Sequence, residues 1–309
     1  MSHVVGVDAG GTATRALALD ADGAVLGTGR AGGANPNSHP PEQAAGAIAD
    51  AVGAALAGLG GPSAIVIGMA GTSKLSDPAV ATVFEQAWQR AGFGVAPRVV
   101  SDAETAFASA TAEPDGTVLI AGTGSIAGRI RKRRMVSVAG GYGWLLGDEG
   151  SGFWLGREAV RATLDVLTRG GEHGPLVDAV LAATGVDAGE PKAYHRLITA
   201  ANAERPVRLA RFAPLVSETA GRDPVAAAIV ERAAVLLTEL ALAAREPGER
   251  TPVVLVGSVL GEQSPVGISV RKGLAHLDVL ASDDGVFGAA WLAAVDAFGE
   301  DAPRPNRVP

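Results

Sequence analysis

VVGVDAGGTATRALALD, residues 4–20, and TVLIAGTGSIAGRI, residues 117–130, are the same phrase written twice. Each is a short apolar run rich in β-branched residues, a turn of Gly and hydroxyl residues, and a second run entered through a small residue. The pattern predicts a strand–turn–strand hairpin whose tip exposes backbone N–H groups with no bulky side chain in front of them. Such a tip can wrap a phosphate. Two of them imply two related domains that hold one nucleotide between them, with the active site in the cleft.

The residues around each phrase extend it. From 4 to 31 the chain reads as three successive strands, with Asp22-Gly23 as the hairpin turn between the second and third. A Gly/Asn/Pro loop at 32–42 leads to a helix in which Ile48, Val52, Leu56 and Leu59 recur at helical spacing. A strand over 65–69, a helix from Pro78 to about 91 and a strand over 98–101 follow, which completes a mixed sheet with helices packed on it. The second half repeats the plan. A three-strand meander over 117–141 turns at RKRR, 131–134, expected to be a solvated tip. A helical region over 151–245 follows, clearest in 223–245, where an Asp cap precedes Pro at the first helical position. Strands after Pro252 and near 277–280 and a helix over 284–298 close the fold. The fold class expected is α/β, with mixed sheets flanked by helices. The domains expected are 1–112 plus 285–300, 113–284 with the helical insertion, and a frayed tail over 301–309.

Bulk composition bounds the function. The 309 residues are 47% hydrophobic and 19% charged, which suits two packed cores. No apolar run approaches the ~20 residues of a membrane span. The start, MSHVVGVDAGG, has neither a basic region nor an apolar signal core, so a cytoplasmic protein is expected. The absence of Cys excludes disulfides and thiolate-held iron–sulfur or zinc sites. A net charge of −7 argues against nucleic acid as a partner, so phosphate has to be held by backbone and a few local cations.

Within the first phosphate loop, Gly10 and Gly11 permit close approach, Thr12 and Thr14 offer hydroxyls, and Arg15 offers charge. Asp8, beside the loop, can hold Mg²⁺ through its waters. In the second loop Gly122, Thr123, Gly124 and Ser125 take the same roles. Neither is a Walker motif, because no Gly-Lys-Ser/Thr follows. Asp102 stands at the C-terminal end of a strand, where α/β sheets expose functional carboxylates. It could serve as a general base, or Ser101 or Asp102 could simply cap the next helix through Glu104 or Thr105. Gly147, Asp148 and Glu149 form an acidic turn that could bind a sugar or favour the helix starting at 151. Trp144 and Trp154 are read as core. Asn35 is either a ligand contact or a turn residue, and Gly257-Ser258 is either a purine-binding turn or an ordinary strand-to-helix turn.

Taken in order, GVDAGGTATRA, AGTGS, GDEGSGFWLGREA and VVLVGSVL resemble the actin, chaperone-ATPase and sugar-kinase superfamily over residues 4–298. Within it the chain is similar to the N-acetylglucosamine kinase branch, which shares a family with the activator ATPases of benzoyl-CoA reductase, and above all to actinobacterial glucosamine kinases. The resemblance implies two actin-like (ribonuclease H-like) domains, ATP and Mg²⁺ as cofactors, and phosphorylation of the C6 hydroxyl of an amino sugar. It implies Asp102 as the base that accepts the hydroxyl proton. Asn35, Asp102, Gly147, Asp148 and Glu149 would then meet the sugar and Gly257-Ser258 the adenosine. Glucosamine is expected ahead of N-acetylglucosamine, with Asp148 or Glu149 pairing a protonated 2-amino group. Activator relatives need a cysteine-held cluster, which this composition lacks. A sugar-sensing repressor would carry a helix-turn-helix, for which no room is expected before the first strand. The helices over 151–245 could form a homodimer face or pack internally.

Overall fold

The computed structural model describes residues 2–282 and 284–306. Its first sheet has the order β3-β2-β1-β4-β5, built from β1 (His3–Ala9), β2 (Ala13–Asp20), β3 (Val25–Gly32), β4 (Ala64–Met69) and β5 (Arg98–Ser101). The three N-terminal strands are antiparallel neighbours, and β4 and β5 run parallel to β1. As the middle strand, β1 is covered on both faces. Val5 and Val7 pack under α1 (Pro41–Ala55) and α2 (Pro78–Arg90), in one core with Ile48, Val52, Phe84 and Trp88. Val4 faces the other core, with Val66, Val100 and Trp291, formed with α3 (Asp102–Ala110) and α10 (Gly285–Phe298). This double burial explains the unbroken apolar run VVGV. Gly6 permits it: a Cβ there would lie 2.0 Å from the Ala290 amide nitrogen.

A second sheet repeats the order as β10-β9-β6-β7-β8, from β6 (Gly116–Ala121), β7 (Ser125–Arg131), β8 (Arg134–Gly140), β9 (Val253–Val256) and β10 (Val279–Ala281). Here too a three-strand meander is extended by strands parallel to its first member. Between β8 and β9 lie α4 (Gly152–Arg169), α5 (Pro175–Thr184), α6 (Ala193–Asn202), α7 (Ala213–Thr219) and α8 (Pro224–Ala243), and α9 (Pro265–Gly273) follows β9. They share one core with the sheet, including Leu119, Trp154, Leu155, Phe212, Leu237 and Leu255. Asp223 caps α8 as expected. It accepts from Val225 and Ala226 N–H and also from Leu176 N–H of α5, so one buried carboxylate pins two helices.

The chain divides into two units. The first comprises residues up to Asp115, Ile130–Met135, and the segment from Ser282 onward; the second comprises Gly116–Arg129 and Val136–Ala281. The partition differs from the expected one at the RKRR turn, which belongs with the first unit. Arg133 is not a solvated tip. It pairs with Glu300 at 2.6 Å and lies over the Trp291 ring at 5.1 Å. The tail is not frayed over 302–306 either. Arg304 donates to the carbonyls of Ala108 and Ser109, stacks on Trp291 at 4.9 Å, and is followed by Asn306 N–H donating to Gly23 O. The expected tail residues 307–309 lie outside the described residues. Among the described residues no helix is long and apolar enough to cross a membrane.

Candidate active site

In the first unit the hairpin tip Gly10–Thr12 joins β1 to β2. Gly10 N–H closes the turn on Ala13 O at 3.0 Å, and His39 holds Gly11 O at 2.7 Å. The N–H groups of Gly11 and Thr12 have no protein acceptor among the described residues. That leaves the donors required at a phosphate site on an exposed tip. Two residues expected to help are committed elsewhere. Thr14 is fully buried and donates its hydroxyl to Gly32 O at 2.7 Å, tying β2 to the end of β3. Arg15 bridges two carboxylates, Asp8 at 2.5 Å and Asp284 at 2.7 Å, so its charge is spent within the unit. Asp284 itself caps α10 through Val286 N–H.

Asp102 is the first residue of α3. The alternative that it merely caps the helix is answered by geometry: Ser101 is the cap, and Glu104 completes the capping box by accepting from the Ser101 backbone and hydroxyl. Glu104 also accepts from Met135 N–H at 3.1 Å, anchoring the start of α3. Asp102 is thereby released from a capping role, and its side chain reaches solvent. Protein atoms crowding the carboxyl push its pKa above the ordinary aspartate value; the charge of Asp8 pushes the same way, and the Ala103 N–H bonded to Oδ1 opposes both. Asn35 forms a turn, accepting Asn37 N–H on Oδ1 at 2.8 Å, and abuts Gly71. Its amide NH₂ has no partner among the described residues, so the turn role does not use up its donors.

In the second unit the tip Gly122–Gly124 joins β6 to β7. Its carbonyls are taken by the start of α4, Gly152 N–H to Gly122 O and Phe153 N–H to Thr123 O, while the N–H groups of Thr123 and Gly124 meet no protein acceptor among the described residues. Ser125 is buried and donates its hydroxyl to Glu149 O at 2.9 Å, so its hydroxyl, like that of Thr14, serves the fold. Asp148, at φ 58°, accepts Ser125 N–H at 3.1 Å. Its carboxylate would touch a Cβ on Gly124 at 2.8 Å, so it braces the loop. Gly147 N–H donates to Gly143 O, and Glu149 is exposed with Arg157 3.9 Å away. Trp154 is core, but Trp144 is 38% exposed, edge-on to Phe153, in a stretch where Tyr142, Leu145 and Leu146 are exposed as well.

Gly257, at φ 99°, presses on the second tip so closely that a Cβ would lie 2.4 Å from Ala121 O. Beside it opens a pocket of about 830 Å³ lined by Gly122, Thr123, Ser258, Pro214, Ser217 and Glu218, among others. The size suits a nucleoside. Ser217, Glu218 and Gln263 on its walls carry no sequence signal, since α7 and the turn before α9 bring them there only through tertiary packing. Asp284 and His39 were likewise missed, although an Asp before a helical run, as at 284, is a recognisable cap.

Mg²⁺ is usually held by one or two carboxylates together with substrate phosphates and waters. Asp8 fits that mode: Arg15 takes Oδ2, and Oδ1 has no hydrogen-bond partner among the described residues. No group of three potential ligands exists among them.

Two sheets of matching order, each opening on a glycine-tipped hairpin, define the actin-like ATPase fold. The chain belongs to the BadF/BadG/BcrA/BcrD ATPase family, whose profile matches residues 5–293. It is 33% identical to the N-acetylmuramic acid/N-acetylglucosamine kinase of Clostridium acetobutylicum over 185 residues, 59% of this chain and 60% of that protein. It is 26% identical to the N-acetyl-D-glucosamine kinase of Dictyostelium discoideum over 57% of this chain and 59% of that one. The matches thus span about three fifths of the length of these curated relatives. Among solved structures, a candidate N-acetylglucosamine kinase from Chromobacterium violaceum aligns with a TM-score of 0.73 and 29% identity, covering 95% of this chain and 99% of its own. A ROK family glucokinase from Streptomyces griseus, solved with glucose and AMPPNP, aligns at 0.52 with 22% identity over 94% and 99%, a likeness of fold.

Proposed function

We propose that the chain is an ATP-dependent amino-sugar kinase acting on the C6 hydroxyl, with Asp102 as the general base. The observation that carries this reading is the state of Asp102: excused from helix capping by Ser101 and Glu104, accessible, and held above the ordinary aspartate pKa. The tips at Gly10–Thr12 and Gly122–Gly124 supply N–H donors for the phosphates, and the pocket beside Gly257-Ser258 takes the nucleoside. As the sugar oxygen attacks, its bond to the γ-phosphorus forms, the bond to ADP breaks, and the hydroxyl proton passes to Asp102. Asp8 would hold Mg²⁺ through water, where the ion neutralises charge on the phosphates.

For the acceptor we favour an N-acetylated hexosamine over glucosamine. The named relatives act on acetylated sugars, and Asp148, one of the two acids expected to pair an ammonium, spends one oxygen on Ser125 N–H. The lack of Cys weighs against a cluster-bearing activator. ADP release by the purified protein should depend on sugar, with kcat/KM higher for N-acetylglucosamine than for glucosamine. The reverse order would restore glucosamine, and sugar-independent hydrolysis would overturn the kinase reading.

A further inference from the structure

A trans peptide group is planar, so its C=O and the N–H of the next residue point in opposite directions. Whatever holds a carbonyl in a hairpin tip therefore aims the N–H that follows it. In the tip Gly122–Gly124 both holders are backbone groups. Gly152 N–H on Gly122 O at 2.8 Å aims Thr123 N–H, and Phe153 N–H on Thr123 O at 3.1 Å aims Gly124 N–H. Those are the donors left without a protein acceptor there among the described residues.

The tip Gly10–Thr12 repeats the scheme with different parts. Ala34 N–H on Gly10 O at 2.9 Å aims Gly11 N–H. The second holder is a side chain: Nε2 of His39 lies 2.7 Å from Gly11 O and so aims Thr12 N–H. A carbonyl oxygen only accepts, which puts the hydrogen on Nε2. His39 is itself fastened, because its backbone N–H donates to Asn35 O at 3.0 Å, within the turn that Asn35 Oδ1 closes on Asn37 N–H. Gly33 leaves room for the ring, since a Cβ there would lie 2.5 Å from Nε2 and 2.3 Å from Gly11 O.

The holder matters because the tip is made of glycine. With no Cβ on Gly11, the peptide joining it to Thr12 can turn over at little steric cost. Turned over, it would set a carbonyl oxygen where Thr12 N–H now faces, and a carbonyl oxygen repels an anion. A donor on Gly11 O disfavours that state, since the turn would break its hydrogen bond.

We propose that His39 is a positioning residue of the first phosphate tip, keeping the Gly11–Thr12 peptide turned so that Thr12 N–H meets the nucleotide phosphates. This role rests on the kinase reading above, which gives the tip to phosphate. It makes one side chain do for the first tip what the start of α4 does for the second.

Calorimetric titration of the full chain with AMPPNP at fixed Mg²⁺, and with adenosine, tests the role, since adenosine keeps base and ribose but carries no phosphate. His39→Leu removes the donor, and His39→Asn keeps an amide N–H that ends short of the Nε2 position. His39→Gln carries its amide N–H out to about that position. AMPPNP should bind roughly five- to tenfold more weakly to His39→Leu and His39→Asn, the scale of one net hydrogen bond, and within about twofold of native to His39→Gln. Adenosine should bind the native protein and all three variants alike, and their melting should stay native. Should His39→Leu fail to fold, the Asn and Gln variants decide. Equal AMPPNP binding by the native protein and His39→Asn, a loss shared by His39→Gln, or a parallel loss of adenosine overturns the positioning role and leaves the kinase reading standing. Failure of the native protein to bind AMPPNP strikes the kinase reading itself, and the role of His39 with it.

Discussion

The two hairpin tips are built from the same kind of sequence but are braced differently. In the first unit the tip Gly10–Thr12 stands exposed, and the charge beside it is internal: Arg15 joins Asp8 and Asp284. In the second unit the tip Gly122–Gly124 is seated on the first N–H groups of α4, backed by Gly257 and clasped by Asp148. The first loop is held through its carbonyls by Ala34 N–H on Gly10 O and His39 on Gly11 O, with an ion-pair cluster alongside; the second is held by the start of α4, by Gly257 and by a carboxylate. A repeated motif therefore carries over the N–H donors left without a protein acceptor among the described residues, while the support behind them is free to diverge.

The largest effect expected of any single change falls on the first unit. Asp102→Asn should lower kcat by about 10²–10⁴ while circular dichroism stays native, because removing a general base costs that much. Loss of less than about tenfold would transfer the base role elsewhere. Next come the tips themselves. A Cβ added at Gly11 or Gly122 meets nothing within 4 Å, so Gly11→Ala and Gly122→Ala should both melt like the native protein. If both tips approach phosphate, each should raise the KM for ATP roughly tenfold, the scale of a charge-assisted hydrogen bond. A rise in only one would mean that only that tip is a phosphate loop.

The braces should differ in stability. Arg15→Met strands two partly buried carboxylates and should cost about 1–2 kcal/mol, a few degrees in Tm. Asp148→Asn keeps an acceptor for Ser125 N–H and should cost less than about 1 kcal/mol. The opposite ranking in thermal melts would show that the direct clasp matters more than the ion pair. The smallest expected effect concerns pH. The folded state holds the Asp102 proton more tightly than the unfolded chain, so its contribution to stability is complete below the unfolded aspartate pKa and is lost as pH rises through the folded value. Asp102→Asn should thus melt slightly above the native protein at neutral pH, and the difference should shrink in acid. In turnover, the acid limb of kcat/KM should lie above the ordinary aspartate range, and its absence from that region would remove Asp102 as the titrating base.

Much of this was legible from the chain alone. The order of strands and helices followed from β-branched runs, the helical spacing of Ile48 and Val52, and caps such as Asp223, all of them local signals. The glycines of both tips were legible for the same reason, since a bare turn between two apolar runs has few other uses. What failed were judgements about where polar side chains point. Thr14 and Ser125 look like phosphate donors in sequence, yet both hydroxyls serve carbonyls that arrive from distant segments, Gly32 and Glu149. Arg133 and Arg304 look solvated, yet both lie on Trp291.

What the sequence determined unaided is the repeated sheet and the exposed backbone at its two turns, because periodicity and the absence of a side chain act within a few residues. A local capping box gives Glu104 its role, but only the tertiary structure decided which other carboxylates remain available: Arg15 takes Asp8 and Asp284, and Asp102 is left accessible with its proton held more tightly than usual. The Arg15–Asp284 pair joins residues 269 positions apart and the charge felt by Asp102 comes from Asp8 at the other end of the sheet's sequence, and no local pattern encodes either.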